Sequence, residues 1–464
     1  MVSIVRRALF RIKIKLSPTL NPQGPITREN FIKQYLRLTI TYVIFLTLTL
    51  EVTAQEQKSD ADTTQVDSVY ENWGSISPGK GFEVARTKFG TLNISAYMLA
   101  RYMNQLPATD TLFTDHLDRP RTIDPRQDIL WHRVMVWFQG WIYSQKLRYT
   151  ANIWTVNATN QVAVAGFMTY HFHKAFKLSA GINGFPGTRS LLGSHPLWLG
   201  TDRVMADEYF RPGFTSGIWA AGELFPGFNY QGMLGDNLSE LGISAAKLTR
   251  NLGYGINFWY MPTTREFGPR GSYGDWEYHE KIATRFGGAF THHRENRFSN
   301  LDQRSPDNTA IRLSDATLFF ETGALADGVT IEEADYDLLA FDAALKYKGI
   351  FLQAEYYIRK LSDFDANGAL PMSDLEDTGF YVQAAAYLIP KKLELYGATS
   401  QIYGSFNNSS EYLGGMNYYP FDTRNMRINA QVINVHGSPV SSVFGYYTGG
   451  QKGTTVSVAA SIFF

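Results

Sequence analysis

Residues 341–359 read Phe-Asp-Ala-Ala-Leu-Lys-Tyr-Lys-Gly-Ile-Phe-Leu-Gln-Ala-Glu-Tyr-Tyr-Ile-Arg, and the parity of this stretch decides the fold. Phe341, Ala343, Leu345 and Tyr347 alternate with Asp342, Ala344, Lys346 and Lys348. Past Gly349, Leu352, Ala354, Tyr356 and Ile358 alternate with Gln353, Glu355, Tyr357 and Arg359. Side chains two apart in an extended chain share a face, so the stretch is a hairpin with one oily and one polar side, turned at Lys348-Gly349. The same period runs outward in both directions. Leu147, Tyr149, Ala151, Ile153 and Thr155 oppose Arg148, Thr150, Asn152 and Trp154, and the chain ends with Val456, Val458, Ala460, Ile462 and Phe464 on one face.

A soluble sandwich also alternates, and three features separate the two cases. The alternating segments run to nine or more residues, about what a tilted membrane strand needs and longer than the usual soluble strand of about five or six. Tight connections at 144–146, 173–175, 348–349 and 390–392 alternate with long ones around 105–128, 186–217, 262–278, 362–378 and 437–450. That asymmetry belongs to outer-membrane barrels; the stretch 294–310 reads as an exception, long where a turn is expected. Finally, Phe464 lies on the apolar face of the last strand, as needed where both ends of the chain must pair to leave no open edge in hydrocarbon.

Composition agrees. The 464 residues hold 40 Gly, 31 Phe, 27 Tyr and 9 Trp at 19 % charged, which favours strands over helices. The mean hydropathy is slightly polar, as in a barrel whose every second residue faces lipid. The absence of cysteine removes disulfides, thiolate metal sites and thiol nucleophiles. Equal numbers of basic and acidic residues, 43 each, give no basic excess for nucleic acid. The fold class read from these facts is all-β: a transmembrane antiparallel barrel over 81–464 of about 16 strands, 18 if one more hairpin is counted, around a water-filled lumen with an in-folded loop.

The one long apolar run, Leu38–Leu50, is too short for a helix spanning a bilayer, which takes about 20 residues. Lys33 and Arg37 precede it and Val52-Thr-Ala54 follows, the layout of a secretory signal cleaved near Ala54. Residues 1–54 are therefore read as extension plus signal, and 55–80, poor in apolar residues, as a flexible leader. Losing 1–54 removes eight basic and two acidic residues and leaves the exported chain at net −6.

Several runs in the C-terminal third resemble the phosphate-selective porin O and P family. They are Arg312-Leu-Ser-Asp315, Glu321-Thr-Gly-Ala-Leu-Ala-Asp-Gly-Val-Thr330, Tyr347-Lys-Gly349, Glu355-Tyr-Tyr-Ile-Arg359, Gly379-Phe-Tyr-Val-Gln-Ala384 and Ile389-Pro-Lys-Lys-Leu-Glu394. The resemblance implies a 16-stranded porin of a Gram-negative outer membrane, a homotrimer, with loops folded into the lumen. No motif carries the family's phosphate-contacting arginines onto numbered positions here.

On the polar faces, Arg148, Asn152, Asp342, Lys346, Lys348, Gln353, Glu355 and Arg359 are expected to line the channel, because Arg or Lys facing lipid near the midplane costs about 2–4 kcal/mol. The segment Phe185–Gly217 is too long for a simple connection. Its Arg189, Asp202, Arg203, Asp207 and Arg211 are expected in a constriction loop, anchored by Leu191, Leu192, Leu197, Trp198 and Leu199. Trp131, Trp137 and Trp141 share one parity. No nucleophile elbow, zinc-protease motif or phosphate-binding loop occurs, so no catalytic residue, metal or cofactor is assigned. The functional expectation is passive diffusion of small hydrophilic solutes, including anions such as phosphate, with lipid and a homotrimer as partners. The alternatives are a structural or surface-interaction barrel with a plugged lumen and, behind it, an outer-membrane enzyme.

Overall fold

The computed structural model describes residues 81–107, 111–156, 161–193, 195–238, 247, 249–299, 310–442 and 444–464. The readings made for 1–54 and 55–80 lie outside these residues. In chain order the first strands are β1 (Phe82–Thr87), β2 (Gly90–Pro107), β3 (Leu112–Thr114), β4 (Pro120–Thr122), β5 (Gln127–Ile142), β6 (Ser144–Val156), β7 (Gln161–His173) and β8 (Phe176–Gly184). Then follow β9 (Phe214–Phe225), β10 (Phe228–Gly235), β11 (Gly253–Tyr260), β12 (Ala283–Asn296), β13 (Ile331–Tyr347) and β14 (Ile350–Ala366). The last are β15 (Asp374–Ile389), β16 (Leu393–Tyr403), β17 (Asn408–Tyr418), β18 (Met426–His436) and β19 (Lys452–Phe463). A single six-residue helix, α1 (Met205–Phe210), is described among them.

β2 and β5 to β19 pair each with the next, antiparallel throughout, and β19 returns to β2 in the register Gly453↔Pro107 to Phe463↔Tyr97. The result is a closed barrel of 16 strands, with β1 as an extra strand of the same sheet. β1 lies against residues 90–94 of β2, on the line where β19 runs out. The last residue is bound twice to that line: Ala96 N–H donates to Phe464 O at 3.2 Å and Phe464 N–H to Ala96 O at 3.1 Å. Closure leaves no free edge, which is the condition for strands surrounded by hydrocarbon.

Parity does the rest. Leu352 is 47 % exposed on the outside of the barrel while Gln353, one residue on, is completely buried inside. Outward-facing Val164, Met168, Ile218, Leu234, Val432 and Val458 continue the oily belt; inward-facing Asn152, Gln231, Asn257, Gln383, Asn429 and Ser457 continue the polar wall. Trp137 faces inward and is fully buried, but Trp131 is 50 % exposed. The register shift between Leu99 and Ala100 passes over His132, so the shared parity of these tryptophans is broken by one extra residue.

The two barrel ends differ. At one, the chain turns within a few residues after β5, β7, β9, β13 and β15; the turn Lys348-Gly349 has φ of 47° and 84°, the pair of positive values of the hairpin turn that matches strand twist. At the other, β2, β8, β12 and β18 end and their long connections to the next wall strand begin. This corrects two expectations. β12 ends at the long-loop end, so the connection expected to be a turn near 294 starts there, and 262–278 does not belong to that end: the connection 261–282 rises from the tight-turn end. The cause is the hairpin β9–β10, where Gly217, Gly222, Gly227, Gly232 and Gly235 supply no side chain to mark a face.

Candidate functional site

Two inserts fill the lumen, one from each end, where a single in-folded loop was expected. The first, 185–213, is pinched at its neck by Phe185 N–H donating to Gly213 O at 2.9 Å. Its apolar residues are what drive it inward: Phe185, Met205, Ala206 and Phe210 are fully buried, and Leu191, Leu192, Leu197, Trp198 and Leu199 nearly so. α1 packs on the wall of β13 to β15, with the Phe210 and Tyr357 rings stacked at 5.0 Å and Tyr336 Oη donating to Phe210 O at 2.8 Å. The second insert, 261–282, contributes Met261, Phe267 and Tyr273 to a cluster with Leu192, Trp198, Leu199 and Phe351.

All five constriction-loop residues lie buried in the first insert. Arg189 is held on three sides: its N–H donates to Glu355 Oε1 at 2.8 Å, its Nη1 to Gln353 Oε1, and its Nη2 to Gly271 O at 3.0 Å in the second insert. Asp202 accepts from Arg133 Nη2 at 2.9 Å, with Arg101 Nη1 4.0 Å away. Arg203 donates to Ser190 Oγ at 3.0 Å and lies over the Trp198 ring at 4.5 Å. Asp207 accepts from Ser190 Oγ at 3.0 Å, and Arg211 forms a two-pronged pair with Glu208, both bonds 2.9 Å.

The wall residues meet these inserts rather than open solvent. Arg359 donates to Asp377 and to Tyr209 Oη, both at 2.6 Å, and to Arg312 O at 2.8 Å. Lys346 Nζ donates to Phe267 O at 2.8 Å and Ser272 Oγ at 3.2 Å. Asp342 pairs with Arg285 across β12 and β13. Glu355 also accepts from Tyr381 Oη at 2.8 Å. Asn152 is buried and Arg148 half-buried on the inner face of β6. Lys348 is the correction among the eight: it is exposed, at the hairpin turn, where its positive φ takes it out of the strand's alternation.

The inserts clasp each other. Arg189 reaches Gly271 O as above; in return Arg270 Nη2 donates to Gly193 O and His195 O, and Tyr273 N–H donates to Leu197 O at 2.8 Å. Between them a cavity of about 20 Å³ is lined by Trp198, Asp202, Arg203, Tyr273, Gln431 and Tyr446, room for about one water. The bore read from sequence as water-filled is thus occupied by protein where the two inserts meet. Polar wall atoms elsewhere have no partner: the whole amide of Gln231, and opposite it Asn257 Oδ1, face inward without a hydrogen bond among the described residues. Such atoms cost about 1–3 kcal/mol each unless hydrated, which argues for water beside the inserts.

Sequence reasoning missed one cluster. Asp275, Glu277 and His279 of the second insert bring ligand-type atoms within 4.8 Å of one another. Each already has a protein partner: His279 Nδ1 contacts Asp275, His279 Nε2 lies 2.9 Å from Glu266 Oε1, Gly349 N–H donates to Asp275 at 2.7 Å, and Arg424 to Glu277 at 3.2 Å. The hydrogen bonds to Asp275 and then Glu266 raise the His279 pKa to about 9. The alternation Asp-x-Glu-x-His was the available signal.

No known protein family and no curated protein matches the chain. Solved structures similar in fold include an anion-selective porin from Comamonas acidovorans, at 10 % identity over 81 % of this chain and 99 % of that one with a TM-score of 0.48. OmpF of Salmonella typhi in complex with daunomycin gives 12 %, 82 %, 100 % and 0.48; the outer-membrane channel DcaP of Acinetobacter baumannii gives 8 %, 83 %, 100 % and 0.46. Likeness at this level says nothing of solute or mechanism.

Proposed function

We propose that this chain is an outer-membrane diffusion channel for small hydrophilic solutes, exported through a signal cleaved near Ala54, in which the two clasped inserts set the width of the path. The observation that carries the reading is the inversion of polarity around a closed barrel, oily outside and charged inside. Hydrocarbon outside requires exactly this closure, and ionised wall groups such as Arg148 and Arg359 are tolerated only toward water or protein. Passage needs the inserts to part, and they are joined by hydrogen bonds to carbonyls rather than by any covalent tie. A homotrimer in the membrane remains part of the proposal. The proposal assigns no dedicated phosphate site, because Arg133, Arg189, Arg203 and Arg359 are each engaged by carboxylates or side-chain oxygens of the protein.

The 20 Å³ void favours a second reading, a sealed barrel with a structural or surface role. Planar-bilayer recording of the refolded chain separates them: stepwise ionic currents support the channel, and a barrel that inserts but never conducts selects the sealed form.

A further inference from the structure

The rim at the tight-turn end carries cations without partners. Lys88, Lys146, Arg265, Lys281, Lys348 and Lys391 are all exposed there, and none has an ion pair among the described residues. They lie on or next to five connections: β1 to β2, β5 to β6, β11 to β12, β13 to β14 and β15 to β16. The acids of the same rim are mostly engaged. Glu83 pairs with Arg86 at 2.6 Å, Glu223 with Lys174, Glu266 with His279 at 2.9 Å, Glu277 with Arg424 at 3.2 Å and Asp422 with Lys392 at 3.5 Å. Glu280 and the carboxylate of Phe464 stand against the six, so the rim is positive.

Their neighbours in sequence fix their depth. Phe89 follows Lys88, Tyr143 precedes Lys146 by three, Ile282 follows Lys281, Ile350 comes two after Lys348 and Ile389 two before Lys391. These five side chains are 48–79 % exposed, at the foot of the oily belt. Two of the ammonium groups lie over rings of that band: Lys88 Nζ is 4.9 Å from the Phe89 ring centroid and Lys348 Nζ 5.3 Å from that of Tyr347. Such contacts hold a cation where hydrocarbon gives way to headgroups, its stem along apolar surface and its charge in water. The far rim has the other sign on β14 and β15, where Asp363, Asp365, Asp374 and Glu376 are exposed.

We propose that the tight-turn rim binds the phosphodiester headgroups of an anionic phospholipid, with these six side chains as the donors. Depth and spread both favour lipid over a soluble polyanion. The charges stand at the boundary of the belt, and they are set around the circumference, where a soluble partner would meet one side. Each cation near an anionic surface adds a favourable increment that decays within a Debye length. The acids of β14 and β15 repel the same headgroups, so the preference belongs to the leaflet of the tight turns. The proposal needs the barrel in a membrane and does not need it to conduct.

The test reconstitutes the full chain in phosphatidylcholine vesicles and follows spin-labelled lipids by electron spin resonance, which reports how strongly phosphatidylglycerol competes with phosphatidylcholine for the barrel surface. A preference for phosphatidylglycerol of about threefold or more is expected. It is expected to fall to parity when Lys88→Gln, Lys146→Gln, Arg265→Gln, Lys281→Gln, Lys348→Gln and Lys391→Gln are combined, and to persist when the five lysines become arginine. Heat-dependent gel migration identical to wild type shows that each variant is folded. Should the glutamine variant not fold, wild type in about 0.5 M NaCl replaces it, because salt at that level screens the rim within a few ångströms. No preference in wild type, or one unchanged in the folded glutamine variant or in high salt, overturns the proposal. Binding of inorganic polyphosphate by the detergent-solubilised chain, without any lipid preference in vesicles, overturns it in favour of a soluble polyanion. Lipid preference is read without current, so a barrel that prefers phosphatidylglycerol and never conducts sinks the channel reading and leaves the rim standing, whereas one that conducts without preference does the reverse.

Discussion

Arg189 of the first insert donates from Nη2 to the carbonyl oxygen of Gly271 in the second, 3.0 Å away, and so ties together two segments that enter the barrel from opposite ends. The same guanidinium lies 4.6 Å from the Tyr273 ring centroid. Its backbone and side chain also contact Glu355 and Gln353 of β14, so one residue joins both inserts to the wall.

Arg270 makes the return contact, from the second insert to the first. Arg270→Ala removes the donors to Gly193 O and His195 O. Larger and longer-lived current steps than wild type are expected in planar bilayers, with gel migration unchanged. Wild-type currents in this variant would show that the clasp does not limit passage.

Arg359→Leu acts differently, because it leaves Asp377 buried with Tyr209 Oη as its remaining side-chain donor. Breaking a buried pair from one side costs about 3–5 kcal/mol. Urea titration of refolding into detergent is expected to show a loss of that order; a loss under about 1 kcal/mol would mean that the pair is hydrated.

Leu352 tests the facing of the wall. Leu352→Arg places a charge on the oily belt, at an expected cost of about 2–4 kcal/mol if the site is near the midplane, whereas Leu352→Phe is expected to insert as wild type. Equal insertion yields into lipid vesicles would contradict a membrane-facing outer surface.

The second insert is expected to loosen in alkali. His279 has its pKa raised to about 9 by Asp275 and Glu266, so its stabilising contribution is complete below the ordinary histidine value of about 6.5 and is lost as the pH rises through about 9. Burial alone would raise the pKa of Asp275 and of Glu266, but the hydrogen bonds from His279 outweigh it and hold both below their ordinary values. Their contribution is therefore present above the carboxylate range and lost on acidification. Current through the barrel is expected to increase between about pH 7 and about pH 9.5, and to stay level in His279→Gln. An identical rise in the variant would assign the effect elsewhere.

The barrel wall was legible because alternation is a local property: Phe341–Lys348 and Leu352–Arg359 each declare two faces without reference to the rest of the chain. The first insert was legible for a related reason, since Leu191, Leu192, Leu197, Trp198 and Leu199 are too apolar for a solvated loop. The second insert was not. Residues 262–278 are mostly Gly, Pro, charged and aromatic residues, and their burial depends on carbonyls of Gly193 and Leu197 far back in the chain. Trp131 was hidden by one extra residue at His132, and Lys348 by a turn that ends the strand period one residue early.

The account turns on whether the barrel conducts and whether the inserts limit it, and one recording addresses both. Wild type and a variant with residues 262–281 replaced by a short Gly-Ser linker would be compared side by side in planar bilayers. Small or infrequent steps from wild type and large, stable steps from the variant are the expected result. Silence from both barrels after verified insertion, or equal conductance in the two, would contradict it.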